Sequence, residues 1–304
     1  MATQNKTNMM TGSLVALVTP MSATGAVDFH ALNRLIEFHI LEGTDALVAV
    51  GTTGESATLD FDEHVAVIKA TVATVAGRIP VIAGTGANNT REAIALAAAA
   101  KAAGADAHLS VTPYYNRPTQ AGLIAHFTAI ADAVDLPLIL YNVPGRTAVD
   151  MLPETTLALS AHPRIIGTKE ASGSLARVEM LIKGAPSGFA VYTGDDNLAC
   201  SVILAGGQGS ISVTANVAPA LMHQMTAAAL RGDEVTARAL DAKLQALHRE
   251  LFCQPNPIPV KWAVAQMGLI EPTLRLPLLP LTAEFVAPLC KALRDADISA
   301  TICH

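Results

Sequence analysis

The sequence predicts an α/β protein, a (β/α)8 barrel with a C-terminal helical extension, and three observations favour this fold. Eight short apolar runs alternate with helical patterns between residues 14 and 213, as expected of parallel strands joined by crossover helices. The 304 residues are enough for one large barrel. Hydrophobic residues make up 51% of the chain and charged residues 15%, so a large core is available. The main alternative is an open, doubly wound sheet, which periodicity alone does not exclude.

Each predicted strand is a short apolar run, typical of parallel strands that are buried on both faces. A glycine, a proline or a polar residue ends most of these runs. In chain order the predicted strands are 14–19, 46–50, 81–83, 108–111, 138–141, 165–168, 190–192 and 210–213.

Residues suited to helix capping precede the helical patterns. Asp28 is placed to cap a helix that extends to residue 41, and Asp60 forms a capping box with Glu63. Thr90 begins an alanine-rich helix that extends to residue 103, and Thr119 begins the next one.

The last part of the chain has helical patterns and no convincing strand. Helices are predicted over 221–230, 234–251, 260–267 and 284–293. We therefore divide the chain into a polar N-terminal leader at 1–10, the barrel at 11–218 and a C-terminal helical domain at 219–304.

Charge and hydropathy exclude several classes of partner. The formal net charge is -6 and no basic block occurs, which argues against nucleic acid and anionic membranes. The leader lacks the apolar region of a secretory signal, and every apolar run is shorter than the roughly 20 residues that span a bilayer.

Common metal, disulfide and cofactor patterns are missing. The four cysteines form no CxxC pair, which argues against a disulfide framework or a structural zinc site and favours a reducing cytoplasm. The histidines show no metal-ligand spacing, and residues 84–89 carry Asn where a dinucleotide fingerprint needs its third glycine. We expect no metal and no nucleotide cofactor.

Lys169 is the candidate nucleophile, because barrel active sites lie where strands end and βα loops begin. Of the eight lysines, only Lys169 ends a predicted strand, and Lys261 lies beyond the eighth unit. Burial disfavours a charged ammonium, and a neutral amine forms a Schiff base with a ketone. The alternative is a lysine that caps the strand and reaches water.

Hydroxyl groups and one arginine follow other strands. Thr52 and Thr53 stand in a glycine-bounded loop that either holds a carboxylate or is an ordinary turn. Arg146 follows the fifth strand, where it either grips a second carboxylate or lies on the surface. Asp195 and Asp196 follow the seventh strand, and we favour a helix-capping role over a cation site.

All four tyrosines lie at or just after predicted strand ends, which suggests that their hydroxyls converge on the barrel mouth. A phenol in a hydrogen-bonded chain transfers protons, although tyrosine also fills protein cores. The four residues are Tyr114, Tyr115, Tyr141 and Tyr192.

Taken together, these motifs resemble the dihydrodipicolinate synthase family, within the pyruvate-dependent aldolase superfamily that includes N-acetylneuraminate lyase. The resemblance covers nearly the whole chain after the leader. It is carried by GTTGESATL at 51–59, VIAGTGAN at 81–88, VTPYYNRP at 111–118, YNVPGRT at 141–147, GTKEASG at 167–173, GDD at 194–196, ISVTANV at 211–217 and PNPIPVKW at 255–262.

The resemblance implies that pyruvate forms a Schiff base with Lys169 and that its enamine attacks aspartate semialdehyde. The adduct would cyclise to 4-hydroxy-tetrahydrodipicolinate, the first committed step of the diaminopimelate route to lysine, without a cofactor. It also implies a homotetramer built as a dimer of tight dimers. The resemblance implies a proton relay of Thr52, Tyr141 and Tyr115, in which Tyr115 reaches into the neighbouring subunit's site. Thr53 and Ile211 would contact pyruvate. Arg146 would bind the carboxylate of the semialdehyde, and Gly194 would contact substrate.

Feedback inhibition by lysine is a further implication of the resemblance. The positions matching the family's allosteric pocket are Ser56, Ala57, Phe61, His64, Asn88, Glu92 and Tyr114. Phe61 stands where well-inhibited members often carry histidine, so a polar contact is lost and we expect weaker inhibition.

Two rival functions remain open. One is another pyruvate-dependent aldolase, such as a sialic acid or keto-deoxy-sugar lyase. A site that binds a sugar, however, would need groups that bind hydroxyls in place of Arg146. The other is a non-catalytic barrel that senses a 2-oxo acid.

Overall fold

The eight predicted strands form a closed parallel barrel, in sequence order with β1 beside β8. A computed structural model describes residues 10–301 and residue 303. The predicted leader therefore lies outside the described residues except for Met10. The barrel is confirmed over the open sheet. The strands are β1 Gly12–Ala16, β2 Ala46–Ala49, β3 Val81–Gly84, β4 Ala107–Val111, β5 Leu138–Asn142, β6 Ile165–Glu170, β7 Ala190–Thr193 and β8 Gly209–Ser212.

Helices alternate with the strands and continue after them, as predicted. In the described part of the chain they are α1 Phe29–Leu41, α2 Phe61–Val75, α3 Thr90–Ala103, α4 Gln120–Ala133, α5 Pro144–Thr147, α6 Pro153–Leu159, α7 Leu175–Gly184, α8 Ala199–Leu204, α9 Pro219–Leu230, α10 Glu234–Glu250, α11 Ile258–Gln266 and α12 Val286–Asp295.

The predicted caps fix where the helices begin. The Asp28 carboxylate accepts the Ala31 N–H at the start of α1. At α2 the Asp60 carboxylate accepts the Glu63 N–H at 2.8 Å while Glu63 accepts the Asp60 N–H at 3.3 Å, which is a complete capping box. These side chains satisfy N–H groups that have no partner within the helix.

Two hydrophobic layers enclose the strands. Along β1, Leu14 and Ala16 point into the barrel while Val15 packs toward the surrounding helices. This alternation follows from the two-residue period of a strand. The barrel closes through glycines, because a Cβ on Gly209 would stand 2.3 Å from the carbonyl oxygen of Gly12. The seam between β8 and β1 therefore requires glycine.

The C-terminal helices pack on one side of the barrel. The helix α9 contacts β1 and α8, so it lies in the ring around the barrel, and α10 packs on both α9 and α12. The division of the chain at residue 219 stays a prediction. Within the described residues, no helix is long and apolar enough to cross a membrane.

The cysteines depart from the expectation drawn from their spacing. Cys290 on α12 forms a disulfide with Cys303, and their Cα atoms lie 5.0 Å apart. The spacing of the cysteines in the sequence did not reveal this pair. The disulfide forms only because the chain folds back to α12 so that Cys303, 13 residues after Cys290, comes close to it. The cysteines therefore no longer support a reducing compartment.

Candidate active site

Lys169 lies at the end of β6 with its side chain turned into the barrel. It is 6% exposed, and its register partners are Tyr141 on β5 and Tyr192 on β7. The Nζ atom stands 4.4 Å from the centre of the Tyr141 ring. The amine and the phenol thus share one layer at the carboxyl ends of the strands, where barrel enzymes carry their chemistry.

Gly194 makes room for the Lys169 side chain. A Cβ at Gly194 would stand 2.6 Å from Cε of Lys169 and 2.8 Å from Cβ of Ala171. The Gly194 N–H donates to the Glu170 carbonyl at 2.8 Å, which holds the backbone close to β6. Only a residue without a side chain fits this close approach.

A cavity of about 80 Å³ opens around Lys169. Its polar groups come from several βα loops and from the C-terminal extension, whereas its floor is apolar. The lining residues are Ala16, Val48, Gly51, Thr52, Thr53, Leu109, Tyr141, Val143, Arg146, Lys169, Ala171, Gly194, Asp195, Val213, Phe252 and Asn256.

The turn after β2 presents Thr52 and Thr53 to this cavity. The Glu55 N–H donates to the Thr52 carbonyl at 3.1 Å, which closes the turn. The Asn256 side-chain amide donates to the Thr53 Oγ1 at 2.9 Å. Because that oxygen accepts from Asn256, the Thr53 hydroxyl hydrogen is free to be donated to a carboxylate.

Arg146 lies on the short helix α5, on the wall of the same cavity. Its Nη2 donates to the backbone carbonyl of Asn256 at 3.3 Å. Arginine is permanently charged and has further donors in a planar fork. It can therefore bind a carboxylate at the mouth while it keeps this contact.

Of the four tyrosines, only Tyr141 lines the lysine cavity. Tyr192 donates its hydroxyl to the carbonyl of Met10 at 2.7 Å, before β1 and away from the mouth. Tyr114 lines a different cavity, and Tyr115 is 90% exposed with φ 72°. The expectation that four hydroxyls converge within one chain is therefore wrong. The predicted reach of Tyr115 into a neighbouring subunit stays a prediction.

Asp195 and Asp196 do not act as helix caps, contrary to our expectation. The Asp195 carboxylate accepts the Gly173 N–H at 2.8 Å, and Asp196 accepts the N–H groups of Val213 and Thr214 at 3.0 and 2.8 Å. The two carboxylates instead bind the loops after β6 and β8. Burial raises the pKa of Asp195, and its N–H contact and nearby Lys169 oppose this shift.

Ile211 is fully buried inside the barrel, packed with other inward-facing residues. It is not among the residues that line the lysine cavity, whereas Val213 two positions later is. The pyruvate contact that the resemblance implies for Ile211 stays a prediction.

A polar network on the outer side of β5 and β6 supports the two reactive strands. The Asn142 side-chain amide donates to both carboxylate oxygens of Glu170 at 3.2 Å and to Asp150 at 2.9 Å. Arg177 binds Asp150, and this hydrogen bond lowers the pKa of the Asp150 carboxyl. Burial raises the pKa of Glu170. Asn142 and Glu170 directly follow Tyr141 and Lys169, so the network fixes their register.

A second cavity, of about 280 Å³, lies beside the first and shares Thr52, Val143 and Arg146 with it. Six of the seven residues predicted for the allosteric pocket line it: Ser56, Ala57, Phe61, His64, Glu92 and Tyr114. Asn88 is not among its lining residues, but its side-chain amide donates to the Tyr114 carbonyl at 3.2 Å.

The C-terminal extension contributes residues that sequence reasoning missed. Phe252 and Asn256 line the lysine cavity although they follow β8 by some forty positions. The PNPIPVKW motif at 255–262 was the available signal for Asn256, but it carried no role. No local pattern marked Phe252.

Comparisons with known proteins agree with this geometry. The model of the dihydrodipicolinate synthetase family matches residues 9–296. The chain is 59% identical over 292 residues to the 4-hydroxy-tetrahydrodipicolinate synthase of Azoarcus sp. strain BH72, a match that covers 96% of this chain and 100% of that one.

Solved structures share the fold of this chain. The chloride-inhibited dihydrodipicolinate synthase from Acinetobacter baumannii, crystallised in complex with pyruvate, matches with a TM-score of 0.94 and 53% identity, over 95% of this chain and 100% of that one. The dihydrodipicolinate synthase from Aquifex aeolicus matches with a TM-score of 0.93 and 44% identity, over 95% and 99% of the two chains.

Proposed function

The chain belongs to the dihydrodipicolinate synthetase family and condenses pyruvate with aspartate semialdehyde in lysine biosynthesis, and we propose that it does so through a Schiff base on Lys169. The observation that carries this role is the placement of a buried lysine beside Tyr141, in a cavity with two groups suited to binding carboxylates. The pyruvate complex of the Acinetobacter relative supports a 2-oxo acid as the first substrate.

The reaction begins at the Nζ of Lys169. The neutral amine attacks the keto carbon of pyruvate, and loss of water gives an iminium. The iminium withdraws electrons, so the adjacent methyl group loses a proton and an enamine forms. A base within hydrogen-bond reach must remove that proton. We assign this proton transfer to Tyr141, linked through Thr52 to Tyr115 of a second subunit.

The enamine carbon then attacks the aldehyde of the second substrate, and the aldehyde oxygen takes up a proton. The amino group of that substrate next attacks the iminium carbon, closes the ring and releases Lys169. The product is 4-hydroxy-tetrahydrodipicolinate. Water is lost once, when the first iminium forms, and every carbon of both substrates is retained.

Because both substrates carry a carboxylate, the site requires two groups that bind carboxylates. Thr53, whose oxygen already accepts from Asn256, has its hydroxyl hydrogen free for the pyruvate carboxylate. Arg146 at the mouth is suited to the carboxylate of the semialdehyde. The apolar floor keeps water from competing for these hydrogen bonds.

The assembly we propose is a homotetramer, a dimer of tight dimers. The cytoplasmic location we propose rests on the biosynthetic role of the relatives and not on the cysteines. Tyr115 supports a shared site, because a tyrosine at 90% exposure gains packing and a hydrogen-bond partner at an interface. We further propose that free lysine binds in the second cavity and inhibits. Glu92 supports this assignment, since its carboxylate is suited to an amino group.

One experiment separates this function from its rivals. A coupled assay compares aspartate semialdehyde with sugar-derived aldehydes, with pyruvate as the common substrate. We expect turnover with the semialdehyde and little with the sugars. Preference for a sugar-derived aldehyde would indicate a keto-deoxy-sugar or sialic acid lyase, and binding of pyruvate without turnover of any aldehyde would indicate a sensor.

A further inference from the structure

The segment 50–60, which we call the β2–α2 loop, serves both cavities at once. Thr52 and Thr53 line the lysine cavity, and Ser56 and Ala57 line the second one. Glu55 lies between the two pairs. Its φ of 56° is in the left-handed region, which is uncommon for a residue other than glycine, and its side chain is buried. An interaction that holds Glu55 therefore holds the part of the loop that lies between the two cavities.

The C-terminal extension binds both oxygens of the Glu55 carboxylate. Lys261 on α11 donates its Nζ to Oε1 at 2.5 Å, and the Arg275 backbone N–H donates to Oε2 at 3.1 Å. The Lys261 side chain is 0% exposed, so this lysine is more deeply buried than Lys169. Burial lowers the pKa of Lys261, and the Glu55 carboxylate opposes that shift.

Lys261 is not a second nucleophile for substrate. It is not among the residues that line the lysine cavity, and its ammonium is engaged by the Glu55 carboxylate. Neither partner is used in the mechanism above. The pair thus needs another explanation for its place beside the reaction site.

Stability alone does not explain this pair. Removing two charges from water costs free energy that their attraction only partly repays, and well-packed apolar residues commonly stabilise a fold as much. A charged pair does, however, fix a distance and a direction between two segments. Here it joins positions 206 residues apart in the chain.

The backbone transmits the position of Glu55 to the threonines. The Glu55 N–H donates to the Thr52 carbonyl at 3.1 Å. From the same extension, Asn256 donates to Thr53 at 2.9 Å. The extension therefore holds both threonines in place. It holds Thr53 through the hydrogen bond from Asn256, and Thr52 through Glu55 and Lys261.

We propose that the buried Glu55–Lys261 ion pair is a positioning element that sets the geometry of Thr53, which binds the carboxylate of the 2-oxo acid, and of its neighbour Thr52 in the proton relay. This inference rests on the proposed Schiff-base function of Lys169. Neither Glu55 nor Lys261 touches substrate. They act by holding the β2–α2 loop against the extension at the distance the ion pair dictates.

The test removes the pair without leaving a buried unpaired charge. The double variant Glu55→Gln/Lys261→Met keeps both side-chain volumes, and Gln still accepts the Arg275 N–H. A matched control, Glu37→Gln/Arg78→Met, removes an exposed ion pair between α1 and the end of α2. For each protein, thermal unfolding, KM for pyruvate, kcat and the rate of borohydride trapping at Lys169 are measured.

We expect the double variant to fold, to raise KM for pyruvate at least about tenfold, and to slow trapping at low pyruvate but not at saturation. The control is expected to match the parent protein. If the double variant does not fold, Lys261→Arg, which keeps the charge but changes the reach, is expected to raise the same KM.

Failure of the positioning role and failure of the proposed function give different experimental results. An unchanged KM for pyruvate in the folded double variant, or in Lys261→Arg, overturns the positioning role while the Lys169 adduct of the parent still stands. Absence of any Lys169 adduct in the parent overturns the proposed function itself.

Discussion

The Lys169 amine and the Tyr141 ring are neighbours across the β5–β6 register, with Nζ 4.4 Å from the ring centre. Nζ thus lies over the face of the Tyr141 ring. The contact also brings the Tyr141 side chain next to the atom that we propose forms the Schiff base. The amine and the phenol are thus positioned by strand pairing rather than by a flexible loop.

Replacing Arg146 with alanine tests the second carboxylate grip. We expect Arg146→Ala to raise KM for aspartate semialdehyde about 10- to 100-fold, which is the usual value of a hydrogen bond to a charged group. Borohydride trapping of pyruvate at Lys169 should change far less. Arg164→Ala, on the outer surface before β6, serves as the control. Equal damage to both steps would contradict the assigned role.

Adding a methyl group at Gly194 tests the space reserved for Lys169. Because the new Cβ would stand 2.6 Å from Cε of Lys169, we expect Gly194→Ala to displace the amine and to slow Schiff-base formation at least about tenfold. Gly145→Ala adds the same methyl group where nothing lies within 4 Å. Trapping rates for the two variants are compared, and equal rates would show that the contact has no role.

Lysine inhibition tests the second cavity. Phe61 lines it and is half-exposed, so it offers no hydrogen bond to an amino acid ligand. We expect weak inhibition by lysine, and we expect Phe61→His to lower the half-inhibiting lysine concentration. Phe29→His, on exposed surface at the start of α1, should change nothing. Inhibition of the parent chain at low lysine concentration would rule out this role for Phe61.

Because His108 and His126 are buried, we expect the free energy of unfolding to fall in acid. His108 is fully buried with Nδ1 2.7 Å from the Thr85 hydroxyl, and burial lowers its pKa to about 4. The unfolded chain therefore binds protons first as pH falls, so the stability present above pH 6.5 decreases between the ordinary pKa of 6.5 and about 4.

The measurement is the urea-unfolding free energy at several pH values. In His108→Asn the slope between pH 6.5 and pH 5 should be shallower than in the parent. His126→Asn is a second test, because burial also lowers the pKa of His126 to about 4. Identical slopes in the parent and in both variants would contradict the prediction.

Local sequence patterns predicted most of the fold, because strands and caps are local. The Asp60–Glu63 capping box needs only two residues three positions apart, and it formed as expected. Lys169 could be selected because strand ends define the active face of a barrel. The direction of a side chain was harder to predict. Tyr192 is the register partner of Lys169 on the neighbouring strand, yet its hydroxyl donates to the carbonyl of Met10.

Long-range partners had no sequence signal. Asn256 reaches Thr53 across 203 positions, and Lys261 reaches Glu55 across 206. Such contacts depend on how the extension folds back over the barrel, which hydrophobic periodicity does not specify. The roles of Asp195 and Asp196 were misjudged for the same reason, since their partners lie on other βα loops.

The central claim is that Lys169 forms a Schiff base with pyruvate. The most direct test incubates the protein with pyruvate, reduces it with borohydride and maps the modified residue by mass spectrometry, with Lys169→Ala as the control. We predict a single pyruvate-derived adduct at Lys169 and none in the variant, which should remain folded. No adduct under conditions that trap a known lyase, or an adduct on another lysine such as Lys261, would contradict the claim.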